Sequence, residues 1–259
     1  MSTPFDGPQS QSEEETRVAP IPRPGYDGKY PRWIGHKFEP DGSVRSFPGH
    51  GIMCHLPAHN TMYNALQQLH DDLEQQDFAS SLVLLPPSIW HMTVYEGVSD
   101  QIRKRTCWPG ELDLDCPLEQ CHKFVASRLV SFDLGCEPRF CMTPVGWEPI
   151  EDGITLKIAG ANIAEEEKLR SLRDRLANVL QLRHPGFDKY SFHIGVAYQL
   201  RNLEQRDKDA LAQYLQVALE KLPKEFEFGA PAFCTYENMV ALDRKFDLLR
   251  QEDGIRLAG

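Results

Sequence analysis

The chain has 259 residues, long enough to bury a sizeable core as one large domain or two modest lobes. With 41% hydrophobic and 25% charged residues it is not a wholly disordered protein, and no apolar run approaches the roughly 20 residues of a membrane span. A net charge of −10 disfavours life on long nucleic acid, although one local basic cluster suffices for one or two phosphates.

Residues 1–28 carry Pro4, Pro8, Pro20, Pro22 and Pro24 with little periodicity and read as a flexible, Pro-rich arm. The polar N-terminus, with Glu13, Glu14 and Glu15, is unlike a signal peptide, and seven cysteines read as buried thiols rather than a disulfide framework. Both features point to a cytoplasmic protein. Asp41-Gly42 marks a turn, which predicts a hairpin from 33–38 and 44–47. A short strand follows over 51–56. Met62, Leu66, Leu69 and Leu73 recur at helical spacing, so 59–78 reads as an amphipathic helix. Apolar 81–85 ends at Pro86-Pro87 and leads into a strand over 90–96. The stretch 99–118 is irregular, and a helix is expected around 119–126. Strand candidates follow over 128–134, 139–145 and 153–158, then an amphipathic helix over 165–182, stopped by His184-Pro185-Gly186. A strand over 191–197, a helix over 203–222 and strands over 225–236 and 239–249 complete the chain. The expected fold class is α+β: two pseudo-symmetric lobes of antiparallel strands with outer helices and a central cleft, forming one bilobal domain over 29–259.

Two short segments carry the chemistry: Trp90-His91-Met92-Thr93-Val94 and, 102 residues on, Phe192-His193-Ile194-Gly195-Val196. In a strand, residues i and i+2 share a face, so His91 with Thr93, and His193 with Gly195, line one side. Met92 and Ile194 then face a core. Histidine suits both proton transfers of phosphodiester cleavage, because its reference pKa of about 6.5 leaves either form populated near neutrality. A hydroxyl two residues on can donate to a non-bridging phosphate oxygen, where charge builds. Thr93 can do this; Gly195 has no side chain for it, though its bare backbone admits a close phosphate. The strand–helix–motif order of the first half recurs in the second, with no identity evident beyond the motifs.

The pair His91-x-Thr93 and His193-x-Gly195 resembles the two H-x-T/S motifs of the 2H phosphoesterase superfamily. Further segments, Lys37-Phe38-Glu39-Pro40-Asp41-Gly42-Ser43-Val44, Phe47-Pro48-Gly49, Cys54-His55-Leu56-Pro57 and Leu85-Pro86-Pro87-Ser88, resemble its branch called domain of unknown function 1868. The resemblance runs from about Tyr30 to the C-terminus. It implies metal-independent work, without a cofactor, on a small nucleotide or RNA end with a 2′,3′-cyclic or 2′,5′-linked phosphodiester. It makes His91 and His193 the acid–base pair and Thr93 a phosphate donor. Gly195 departs from the pattern, and Ser191 is a substitute donor. The alternative is a catalytically weakened binding module of the same fold, or a scaffold working through the Pro-rich arm.

Around the motifs, Tyr95 shares the face of His91 by strict alternation and is a candidate wall for a base. Tyr198 falls on the opposite face from His193 unless a bulge intervenes. Lys157 and Lys189 are candidate phosphate holders, set against the plainer reading of solvated charges. Arg103, Lys104 and Arg105 form a basic run that reads the same two ways. His55 and His59 are separated by Pro57, and Cys116, Cys121, His122, Cys136 and Cys141 lack the paired spacing of a structural zinc site, so no metal is expected.

Overall fold

The structure is a computed structural model that describes residues 30–250; the arm expected over 1–28 lies outside the described residues. The elements in chain order are β1 (Gly49–His55), α1 (Thr61–Glu74), β2 (Leu82–Leu84), β3 (His91–Ser99), α2 (Leu118–Leu129), β4 (Phe140–Trp147), β5 (Gly153–Gly160), α3 (Ile163–Leu180), β6 (His193–Gln199), α4 (Gln205–Lys221), β7 (Phe226–Phe228), β8 (Ala232–Asn238) and β9 (Ala241–Asp247). Among the described residues the strands join one antiparallel sheet in the order β7-β4-β5-β6-β3-β1-β8-β9, with β2 also paired to β6. This is the expected α+β class. Its two halves meet at β3 and β6, through the pair Met92–Ile194.

One face of the sheet is dry. Leu66, Leu69 and Leu73 of α1, Cys121, Val125 and Leu129 of α2, Leu169, Leu172 and Leu176 of α3, and Leu211 and Leu215 of α4 all join its core. The period of these apolar positions explains why each helix lies down on the sheet: each stripe finds apolar strand residues to cover it. Met92 and Ile194 are fully buried in this core, so their strand neighbours project from the other face.

The halves are related far beyond the motifs. In the first, Gly51, Ile52, Met53 and His55 pair with Glu96, Tyr95, Thr93 and His91; in the second, Gly153, Ile154, Thr155 and Lys157 pair with Tyr198, Ala197, Gly195 and His193. Every residue stands 102 positions from its counterpart. The backbone N–H of Leu56 donates to the Trp90 carbonyl at 2.9 Å, and that of Ile158 to the Phe192 carbonyl at 2.9 Å. Asn60 caps α1 and Asn162 caps α3, each side-chain oxygen accepting a first-turn N–H (2.8 and 3.0 Å). Identities at Gly51/Gly153, Ile52/Ile154 and Asn60/Asn162 therefore add to the motifs, correcting the expectation of none.

Other departures have local causes. The strand expected over 128–134 is instead the end of α2 and a turn, because Cys121, Val125 and Leu129 complete a helical stripe in the core. Residues 225–236 divide into β7 and β8 across Gly229 and Pro231. The hairpin expected over 33–47 turns at Gly42 as read, with φ +87°, but forms only isolated bridges, Ile34–Phe38 and Phe38–Val44. This segment is a strap: Ile34 and Phe38 bury themselves against Leu85 and Leu200 in a small second cluster.

Candidate active site

The two histidines are held alike. His91 Nδ1 lies 2.7 Å from the Ile89 carbonyl, and His193 Nδ1 lies 2.9 Å from the Ser191 carbonyl. A carbonyl can only accept, so both Nδ1 atoms carry the proton and both Nε2 atoms are left free to take or relay one. The one bridging pair between β3 and β6 sets the rest. One step along each antiparallel strand from Met92–Ile194 brings Thr93 to the side of His193 and His91 to the side of Gly195.

At the Thr93 end, Tyr190 shares a side-chain hydrogen bond with Thr93, and its ring lies 6.0 Å from that of His193. Burial pushes the Tyr190 phenol up, so it stays protonated. The bond holds the Thr93 side chain in place beside His193. Beneath them lies Arg173, only 1% exposed, with its guanidinium carbon 4.0 Å from the Tyr190 ring centre. Its Nη1 donates to the Val94 carbonyl at 2.6 Å and its Nη2 to the Phe187 carbonyl at 3.3 Å.

At the Gly195 end the neighbours differ. His55 stands opposite His91 in the register, with the rings 6.4 Å apart. Lys37, from the strap, donates to the Tyr198 hydroxyl at 2.9 Å. Burial, then the facing His55, His193 and Lys37, push His91 down to about 4, against the carbonyl hydrogen bond that raises it. A β-carbon built on Gly195 meets only Leu85 Cδ1, at an ordinary 3.6 Å, so no close packing demands glycine here.

Two expected site residues change places. Pairing to β1 skips Val94, and pairing to β5 skips Val196, so each motif strand bulges three residues beyond its histidine. Val94 and Tyr95, and likewise Val196 and Ala197, are consecutive buried pairs. Tyr95 thus turns into the core, 1% exposed, its hydroxyl donating to the Leu182 carbonyl, which corrects its expected place beside His91. Tyr198 is carried onto the histidine face by the bulge of its own strand. Glu96, its counterpart, is brought there too.

Lys157 is opposite His193 in the register. Lys189 is exposed in the turn before β6, and Ser191 is exposed just outside it, its carbonyl engaged by His193. Arg103 binds the carbonyls of Leu114 and Cys116 (both 2.7 Å) and Arg105 that of Leu112 (2.7 Å), so two of the three basic residues staple their own loop. Among the described residues, no group of three or more His, Cys, Asp or Glu side chains is set to hold a metal ion. Residue-by-residue reading missed Lys37, His55, Tyr190, Arg173 and Glu96. His55 had a signal: its counterpart at the motif spacing is Lys157.

Comparison with solved structures supports the fold. A conserved protein of unknown function from Agrobacterium tumefaciens is similar over 83% of this chain and 91% of its own, with a TM-score of 0.77 and 28% sequence identity. A Thermus thermophilus protein matches 78% of this chain and 98% of its own at 15% identity, with a TM-score of 0.40. No curated protein matches. The model of the family 2H-phosphodiest, domain of unknown function (DUF1868), matches residues 37–151, a stretch that includes Lys37, His55, His91 and Thr93. Over those residues the chain is similar to the 2H-phosphodiesterase family described as domain of unknown function 1868.

Proposed function

We propose that the cleft hydrolyses a phosphodiester of a small nucleotide or RNA end, 2′,3′-cyclic or 2′,5′-linked, by acid–base catalysis between His91 and His193. The observation that carries this reading is the matched pair of Nδ1 anchors, which leaves two free Nε2 atoms on one face of one sheet. His91, kept neutral by burial, takes the proton of the attacking water as its oxygen bonds to phosphorus. His193, on the more open side, gives its proton to the ribose oxygen as that P–O bond breaks. Thr93 donates to a non-bridging oxygen, and Lys157 adds a cation beside His193. An arriving phosphate anion raises His91 back toward neutrality, which strengthens it as a base. Two imidazoles supply both proton transfers, so the chemistry runs without a metal.

The setting that suits this reading is a reducing cytoplasm, since all seven cysteines are unpaired thiols. No helix among the described residues is long and apolar enough to cross a membrane.

The test is turnover of EDTA-treated protein on 2′,3′-cyclic nucleotides, 2′,5′-linked oligoadenylates and short RNAs, read by mass spectrometry. His91→Ala and His193→Ala should each lose about 10²–10⁴-fold in turnover. Full activity in either variant overturns the pair. Ligand-induced thermal stabilisation of wild type without product points instead to the binding module.

A further inference from the structure

We infer that Lys37 is the phosphate anchor at the His91 end of the cleft, doing from outside the two halves what a hydroxyl at position 195 would do from within. The inference rests on the proposed phosphodiester site and names the group that completes it. Thr93 serves the His193 end. The corresponding place at the His91 end belongs to Gly195, which has no side-chain donor.

Lys37 is suited to that place by position, by rigidity and by charge. It bears on His91 and is tied to Tyr198, which stands three residues beyond Gly195 on the same strand and the same face. Buried Ile34 and Phe38 anchor the strap on either side of it, and Phe38 packs against Tyr198 with ring centres 5.1 Å apart. The ammonium lies 3.9 Å from the Trp33 ring centre, 5.0 Å from that of Tyr198 and 5.3 Å from that of Phe47. Among the described residues no carboxylate pairs with it, whereas Arg32 and Arg45 of the same strap pair with Asp152 and Glu39. A half-buried cation boxed by aromatic rings, beside a histidine whose charged form it disfavours, has its missing counter-charge supplied by an anionic ligand. An ammonium has three donors and Tyr198 uses one of them, so two remain for phosphate oxygens.

The experiment measures inorganic phosphate binding by calorimetry, and turnover on the screened phosphodiesters, for wild type, Lys37→Met, Lys37→Arg, Gly195→Thr and Lys37→Met/Gly195→Thr. Lys37→Met should weaken phosphate about ten-fold or more, with a comparable loss in turnover. Lys37→Arg should keep most of both. Gly195→Thr should restore part of the loss in the Lys37→Met background, because a hydroxyl returns to the same place. By NMR titration, His91 should titrate at higher pH in Lys37→Met than in wild type.

A folded Lys37→Met with wild-type phosphate affinity overturns the inference. So does a wild type that binds no phosphate, or a loss that Gly195→Thr leaves untouched while Lys37→Met lowers the melting temperature, since that pattern marks a purely structural lysine. Phosphate binding that depends on Lys37, in a protein that turns over no phosphodiester, supports the anchor and removes the esterase reading. The two failures are therefore distinguishable.

Discussion

The two halves of the sheet repeat one plan and finish it differently. Both bulge after their histidine, and a bulge strands a carbonyl that the ladder cannot satisfy. In the second half the Val196 carbonyl is met by the backbone N–H of Leu85 at 2.8 Å, a strand-like solution that needs no side chain. In the first, the Val94 carbonyl is met by the guanidinium of Arg173, which also lies under Tyr190 and so under Thr93. The first half carries His55 where the second carries Lys157, and His50 where the second carries Asp152. Symmetry fixes the backbone that holds the two histidines. Divergence decides what surrounds each member: a half-buried, imidazole-rich environment for His91 and a more open one, flanked by Lys157, for His193.

The largest effect that probes this difference belongs to Thr93, the one motif hydroxyl. Thr93→Val should lower turnover by about 10²–10³-fold. Gly195→Thr alone should give a gain smaller than that loss. Equal and small effects at both positions, read as kcat/KM, break the assignment of unequal ends.

Arg173 comes next. Arg173→Met leaves the buried Val94 carbonyl without this donor, while the Phe187 carbonyl keeps the Tyr190 N–H, and should cost about 1–3 kcal/mol in urea unfolding. It should also lower turnover through the loosened Tyr190–Thr93 pair, in kcat more than in KM. Unchanged stability would show that the bulge does not depend on the guanidinium.

The smallest effect is on pH-dependent stability. Burial holds His91 down to about 4 and His50 down to about 3, the latter pressed further by His122 and His184. Between the ordinary imidazole pKa of about 6.5 and these values, the unfolded chain binds protons that the folded chain refuses. Stability is therefore full above about pH 6.5 and is lost as the pH falls from there through about 4 and on toward 3. A urea midpoint that falls between pH 7 and pH 4, with His91→Gln removing up to one proton of the slope, bears this out. A flat midpoint over that range contradicts the imidazole-rich setting of the first half.

Much of this was legible from local pattern. Strand parity put His91 with Thr93 and His193 with Gly195, because side-chain alternation is a property of the strand alone. Helical spacing located α1 and α3 for the same reason. The end of α2 reads locally as a strand because Leu129 belongs both to an apolar run and to a helical stripe, and only packing against α3 and β8 selects the stripe. Strict alternation misplaces Tyr95 by one residue, which in a strand reverses the face, while Tyr198 reaches the histidine face through the bulge that its position required.

The sequence by itself determined the two motifs, their spacing of 102 residues and the α+β order of elements, since all of these are written in short-range periodicity. Tertiary structure alone decided which neighbours each histidine has. A bulge exists only relative to the register of a partner strand, so β1 and β5 chose that Tyr95 is buried and Tyr198 faces the cleft. Lys37 and Arg173 come from segments far along the chain, and nothing local in either points to a histidine; the strap and α3 bring them there because their apolar neighbours must be buried.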